Sequence, residues 1–297
     1  MILTKLFVEI DDFYKSFEPE YHKSLLSEGK VKRRRSTTLS MSEIMTIVVF
    51  FHMSKFRTFK DYYIRYVQKS LKSAFPALVS YQRFVELMPR VMVPLFAFMQ
   101  QRRLGPITGI SFIDSTTIKV CHIKREKQNR VFAGLAAKGR TTMGWFYGFK
   151  LHLVINEKGE ILSFFFTPGN SSDQDEKVID HLCKNLSGKL FGDKGYISQK
   201  LFEKLWQQGI QLITKIRKNM KNKLIPLIDK LLLRKRALIE SINDQLKNVA
   251  MLEHTRHRSP INAMINWISA LIAYTYQPKK PSIRLDESER NLLTVAA

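Results

Sequence analysis

The stretch "ISFIDSTTIKVCHI", beginning at Ile110, constrains the fold most: it is a β-branched strand pattern with one carboxylate, Asp114, in its interior. Two more strand patterns follow, "WFYGFKLHLVIN" and "EILSFFFTPG", joined by the turn residues Glu157-Lys158-Gly159. Between the first strand and these two, "KREKQNRVFAGLAAKGRTTMG" reads as a basic loop. The chain then alternates. "SSDQDEKVIDHLCKNL" has helix-start chemistry, with Ser171, Ser172 or Asp173 as cap. "KLFGD" reads as a strand, "SQKLFEKLWQQG" as a helix, "IQLITKI" as a strand, and a long helix runs from about Ile225 to Leu252. The order β-β-β-α-β-α-β-α with short connections predicts a mixed α/β sheet flanked by helices.

Upstream of "LGPITG" (Leu104 to Gly109) the texture is helical. "LSMSEIMTIVVFFHM" places Ser40 and Glu43 in capping-box spacing ahead of an apolar run, and "FKDYYIRYVQKSLKSAF" and "SYQRFVELMPRVMVPLFAFMQQRRL" read as further helices. The expected organisation is a helical, DNA-binding N-terminal region at residues 1–104, an α/β region at 105–282 and a flexible tail at 283–297. The 44% hydrophobic content and 20 phenylalanines supply a large core and exclude general disorder. Against that core, 49 Lys and Arg face 26 Asp and Glu, a net charge of +23. A folded protein with this surplus is expected to face a polyanion, and nucleic acid first. Arg33, Arg34 and Arg35 in "KVKRRRSTT" are candidate phosphate contacts; a solvated linker is the plain alternative. Two cysteines are too few for a disulfide framework or a Cys-rich zinc site, and both are expected in the core. The N-terminus lacks signal-peptide patterning and the longest apolar run is about half a membrane span. The expected place is therefore the cytoplasm, at the nucleoid, with no membrane partner.

Three acids stand out. Asp114 lies inside a strand, where an ionised carboxylate is costly unless paired; hydrogen bonding to nearby backbone is the ordinary explanation. Asp193 ends the strand in "LSGKLFGDKGYIS", either as an Asp-Lys-Gly turn or as a carboxylate offered at a strand mouth. Glu240 shares a helical stripe with Leu233, Arg236 and Lys247, beside an apolar stripe; the alternative is a surface Arg–Glu pair. Two strand acids and one helix acid, without cysteines, suit Mg²⁺ or Mn²⁺, and two such ions suit phosphodiester chemistry. Arg236 and Lys247 are expected to contact DNA beside them. Alternation along "FYGFKLHLV" puts Lys150 and His152 on one face, as DNA contacts or as a polar solvent side. Asp173 and Asp175 read as helix-cap acids, and His254 and His257 lack a third ligand for zinc. Tyr196 either packs in the core or stacks on a base.

These residues carry a resemblance. "LSMSEIMTIVVFFHMS", "SYQRFVELMPR", "GISFIDSTTIKVC", "MGWFYGFKLHLVIN", "FGDKGYIS" and the final helix, in order from about Leu39 to Ser282, resemble DDE-type insertion-sequence transposases of the nine-eighty-two family. Related families carry Tyr, two residues, Arg, three residues, Glu, six residues, Lys around the third acid. This chain has Leu233, Arg236, Glu240 and Lys247 at that spacing, so the tyrosine's role does not carry over. The resemblance implies an RNase H-like catalytic domain at 105–282, with Asp114, Asp193 and Glu240 as catalytic acids holding two metal ions. It also implies recognition of an element's terminal inverted repeats in double-stranded DNA, strand cleavage by water, and attack of the 3′-hydroxyl on target DNA. A homodimer on DNA is the implied assembly. Two other classes remain in view: an RNase H-like endonuclease without strand transfer, and a non-catalytic DNA-binding regulator derived from a transposase.

Overall fold

The computed structural model describes residues 2–28, 37–215, 225–253 and 257–283. Arg33, Arg34, Arg35, His254 and the tail beyond 283 lie outside the described residues. The chain divides into two units, Met1–Arg103 with Leu246–Tyr276, and Leu104–Gln245 with Gln277–Ala297.

The first unit is helical. Helix α1 (Ile2–Ser27) buries Leu6, Ile10 and Phe13, one face at helical spacing, and Phe13 meets Phe98 with ring centroids 5.2 Å apart. Helix α2 (Met41–Phe51) opens with the expected capping box: Glu43 N donates to Ser40 Oγ (3.2 Å) and Ser40 N to Glu43 Oε2 (2.7 Å). The one-turn helices α3 (Phe59–Asp61) and α4 (Gln68–Ser70) flank a π-helical stretch, Tyr62–Val67, and α5 (Tyr81–Leu87) and α6 (Met92–Phe98) follow. Tyr62, Tyr63 and Phe84 are wholly buried among them. The last helix, Pro260–Thr275, is apolar nearly all round and correspondingly buried. Arg103 ties it in, donating from Nε to Thr275 Oγ1 (2.9 Å) and from Nη1 to Glu9 Oε2 (2.9 Å).

The second unit holds a six-stranded mixed sheet: β1 (Ile110–Cys121), β2 (Ala137–Thr141), β3 (Gly144–Asn156), β4 (Ile161–Pro168), β5 (Gly188–Gly192) and β6 (Ile210–Thr214). The strand order is β2-β3-β1-β5-β6, with β4 also on β3. The long β3 is antiparallel to β1, β2 and β4, whereas β1, β5 and β6 run parallel. Gly159, at φ +72°, supplies the left-handed residue of the β3–β4 turn. One face of the sheet, with Ile113, Val154, Leu190 and Leu212, packs on α7 (Glu176–Cys183) and α8 (Gln199–Gln207). On the other face Phe112 and Phe191 stack at 5.4 Å, and α9 (Leu227–Lys235) is fixed to β5 by an ion pair of Lys189 Nζ with buried Asp229 Oδ1, 2.8 Å. Helix α10 (Ala237–Asn248) follows.

The α/β class stands as expected, a mixed sheet flanked by helices and preceded by an all-helical region. Four details differ. β2 lies inside the stretch read as a basic loop; "AKGRT" has little strand propensity and pairs because β3 extends past β4 and offers it an edge. The long helix is two, broken at Arg236, where neither Pro nor Gly marks the break. Leu246–Tyr276 groups with the first unit instead of following 105–282 as a single stretch. The cap of α7 is Asp175, whose side chain accepts from Lys177 N, and not Ser171, Ser172 or Asp173. Among the described residues no helix is long and apolar enough to cross a membrane.

Candidate active site

Parallel pairing aligns Ile110 with Lys189, Ser111 with Leu190 and Phe112 with Phe191. Extending that register two residues sets Asp114 beside Asp193, both on the face of the Phe112–Phe191 stack. Asp193 Oδ1 accepts from Gly195 N (2.8 Å), opening a short 3₁₀ turn at Lys194–Tyr196. A Cβ on Gly195 would lie 2.8 Å from that oxygen, so glycine is what lets the turn close on the carboxylate. Asp193 is thus a turn residue through one oxygen while standing beside Asp114.

The helices complete the site. Arg236, at the break between α9 and α10, donates from Nη2 to Glu240 Oε1 (2.6 Å) and places Nη1 3.7 Å from Asp114 Oδ1. Asn243, buried one turn beyond Glu240, donates from Nδ2 to Asp114 Oδ2 (3.2 Å). Burial pushes the pKa of Asp114 up to about 7; Arg236 opposes this, while the charges of Asp193 and Glu240 add to it. The three acids therefore share one electrostatic neighbourhood around Asp114, and one guanidinium bridges two of them, Asp114 and Glu240.

Two adjacent carboxylates that repel each other are donor chemistry for a hard cation, and Asp114 with Asp193 fits one. Glu240 does not join them in this arrangement. Its side chain is 58% exposed and held by Arg236, and among the described residues no three acidic, His or Cys side chains converge on one point.

Other expected residues fall elsewhere. Lys150 and His152 pair with Thr117 and Ser115 across β1, on the face opposite Asp114. There Lys150 Nζ binds Asp173 Oδ1 (3.0 Å) and Ser171 O (2.9 Å), and Ser115 Oγ donates to the same Asp173 oxygen (2.8 Å). His152 is wholly buried, with Nε2 2.9 Å from Thr167 Oγ1. Burial lowers its pKa to about 4, with Lys150 adding and Asp173 opposing. Asp173 is therefore no helix cap; it holds β1 and β3 to the loop before α7. Lys247 lies half-buried on the last turn of α10. Tyr196 is buried, with its ring against Gly192. Cys183 is buried and Cys121 half-buried. Sequence reading missed Asn243; its signal was a lone amide among the apolar residues Ile239, Ile242 and Leu246, a turn from Glu240.

The family described as Transposase DDE domain matches residues 104–260, which holds all three acids. No curated protein sequence matches the chain. Among solved structures, a piggyBac transposase synaptic complex with hairpin DNA is similar at TM-score 0.51 and 13% identity, covering 90% of this chain and 74% of that one. The Mos1 strand transfer complex is similar at TM-score 0.23 and 11% identity, covering 82% and 80%. A simian T-cell lymphotropic virus intasome with PP2A regulatory subunit B56 gamma gives 0.27 and 14%, covering 69% and 63%. With the family's model matching more than half of the chain, the chain belongs to the transposases with a DDE domain.

Proposed function

We propose that this transposase binds the terminal inverted repeats of an insertion sequence, hydrolyses the phosphodiester at the element's ends and joins the freed 3′-hydroxyl to target DNA. The observation that carries the reading is the Asp114–Asp193 pair set by the β1–β5 register, with Arg236 at the α9–α10 break reaching Asp114 and holding Glu240. Asp114, Asp193 and Glu240 would hold two Mg²⁺ or Mn²⁺ ions, which when bound activate the attacking water and stabilise the leaving oxygen. Asn243 fixes the orientation of Asp114 by its hydrogen bond. Arg236 restrains Glu240 in the absence of DNA. A backbone phosphate is an equally good acceptor for a guanidinium, and its arrival draws Arg236 away and frees Glu240 to turn toward the aspartates. Lys247 and Arg33 to Arg35 supply further phosphate contacts, and two chains pair two DNA ends as a homodimer. Lys150 serves the site indirectly, by holding Asp173.

The test is a joining assay with purified protein, DNA from the gene's own flanks, a target plasmid and Mg²⁺ or Mn²⁺, beside Asp193→Asn. Joined products that vanish in the variant are expected. Cleavage without joining would favour the endonuclease, and binding without either would favour a regulator.

A further inference from the structure

The β2–β3 hairpin carries a second surface that the active site does not use. Its two-residue turn places Met143 97% exposed, and the next side chain on β3, Trp145, is 55% exposed. Arg140 is the cross-strand partner of Trp145 and Lys138 its diagonal neighbour, with their cationic groups 5.6 Å and 5.1 Å from the ring centroid. Neither cation forms an ion pair with a described residue. Around them the chain from Lys119 to Arg140 has seven Lys and Arg and one acid, Glu126. Lys124, Arg125, Lys127 and Arg130 are all exposed there.

A second exposed aromatic pair, Phe202 and Trp206 on α8, gives the contrast. Its neighbouring lysines are already spent, Lys200 on Glu176 and Lys204 on Asp180. The hairpin, by contrast, joins an exposed aromatic ring to two cations that no described acid neutralises. A duplex keeps its bases stacked inward, so the ring can be covered only by a base that is unpaired.

We propose that the β2–β3 hairpin binds single-stranded DNA, with one base stacked on Trp145, its flanking phosphates on Lys138 and Arg140, and Met143 against the neighbouring base. The proposal rests on the reading that this protein's partner is DNA. Nine residues of β3 separate Gly144 from Leu153, the partner of Asp114, which is about 30 Å at ~3.3 Å per residue. The hairpin thus meets DNA roughly nine nucleotides from the chemistry at ~3.4 Å each.

The experiment measures binding of the full chain to a fluorescein-labelled 20-nucleotide single strand and to the blunt duplex of the same sequence, by anisotropy. Trp145→Ala is expected to weaken the single strand about 10-fold or more, the range of one base–aromatic stack, and to leave the duplex within about twofold. Trp145→Phe should keep most of the affinity. Lys138→Ala with Arg140→Ala should lower the salt slope for the single strand by about 1.4, at ~0.7 per phosphate. Trp145→Ala protein that holds the single strand as tightly as the wild type overturns the hairpin site and leaves the DNA reading standing. Wild-type protein that binds neither DNA overturns both.

Discussion

At the scale of residues, His152 shows how the interior constrains charge. The folded protein keeps it neutral down to about pH 4, because burial and Lys150 disfavour the imidazolium more than Asp173 favours it. The unfolded chain takes up that proton near pH 6.5, so between those values the unfolded state binds more protons. Stability from this residue is full above about pH 6.5 and is lost as pH falls toward 4. Urea titrations at pH 7 and pH 4.5 should show His152→Gln losing less between the two than the wild type, by ~1–3 kcal/mol, even if it starts lower. Equal losses in both proteins would remove the argument. Asp114 and Asp193 were legible in the sequence because a carboxylate within or ending an apolar strand needs a reason. Asp173 was not: Ser-Ser-Asp ahead of a helix is cap chemistry on its face, and its partners Ser115 and Lys150 are 58 and 23 residues away. Asn243 was hidden for the same reason, since only the fold brings it to Asp114.

At the scale of elements, the ion pair of Lys189 with Asp229 ties α9 to β5, and α9 runs into the break at Arg236, with Glu240 in the first turn of α10 beyond it. Asp229 is nearly sealed and Lys189 mostly so, with side chains 2% and 18% exposed. Lys189→Met strands a buried carboxylate and should cost about 3 kcal/mol in urea unfolding. Adding Asp229→Leu replaces the pair with apolar packing and should recover most of that loss. A double variant as unstable as the single one would mean that the pair does not set the helix. The break at Arg236 was illegible because apolar residues continue through it, from Leu231, Leu232 and Leu233 to Leu238 and Ile239, with no Pro or Gly between. β2 was illegible because its pairing is a property of the long edge of β3. The capping box at Ser40 was readable for the opposite reason: all its chemistry lies within four residues.

At the scale of the whole molecule, the net charge of +23 could be read from composition, whereas the grouping of Leu246–Tyr276 with the N-terminal helices could not. An apolar helix such as "INAMINWISALIAYT" satisfies any apolar surface, so its pattern names no partner. Charge is different, because it acts without a specific contact. Cations that neutralise phosphates release counterions, and each contributes ~0.9 to the fall of log affinity with log salt on duplex DNA. Only a minority of the 49 Lys and Arg need to meet phosphate for the slope to be steep. With six to ten contacts, affinity for a duplex of unrelated sequence should drop about 10³–10⁵-fold between 50 and 200 mM salt. The same surplus repels itself in the free protein, so a polyanion that binds the folded state should raise the melting temperature at low salt. Duplex affinity that stays flat across that salt range would mean that the charge serves something other than a phosphate backbone, and the nucleic-acid reading of the whole chain would fall with it.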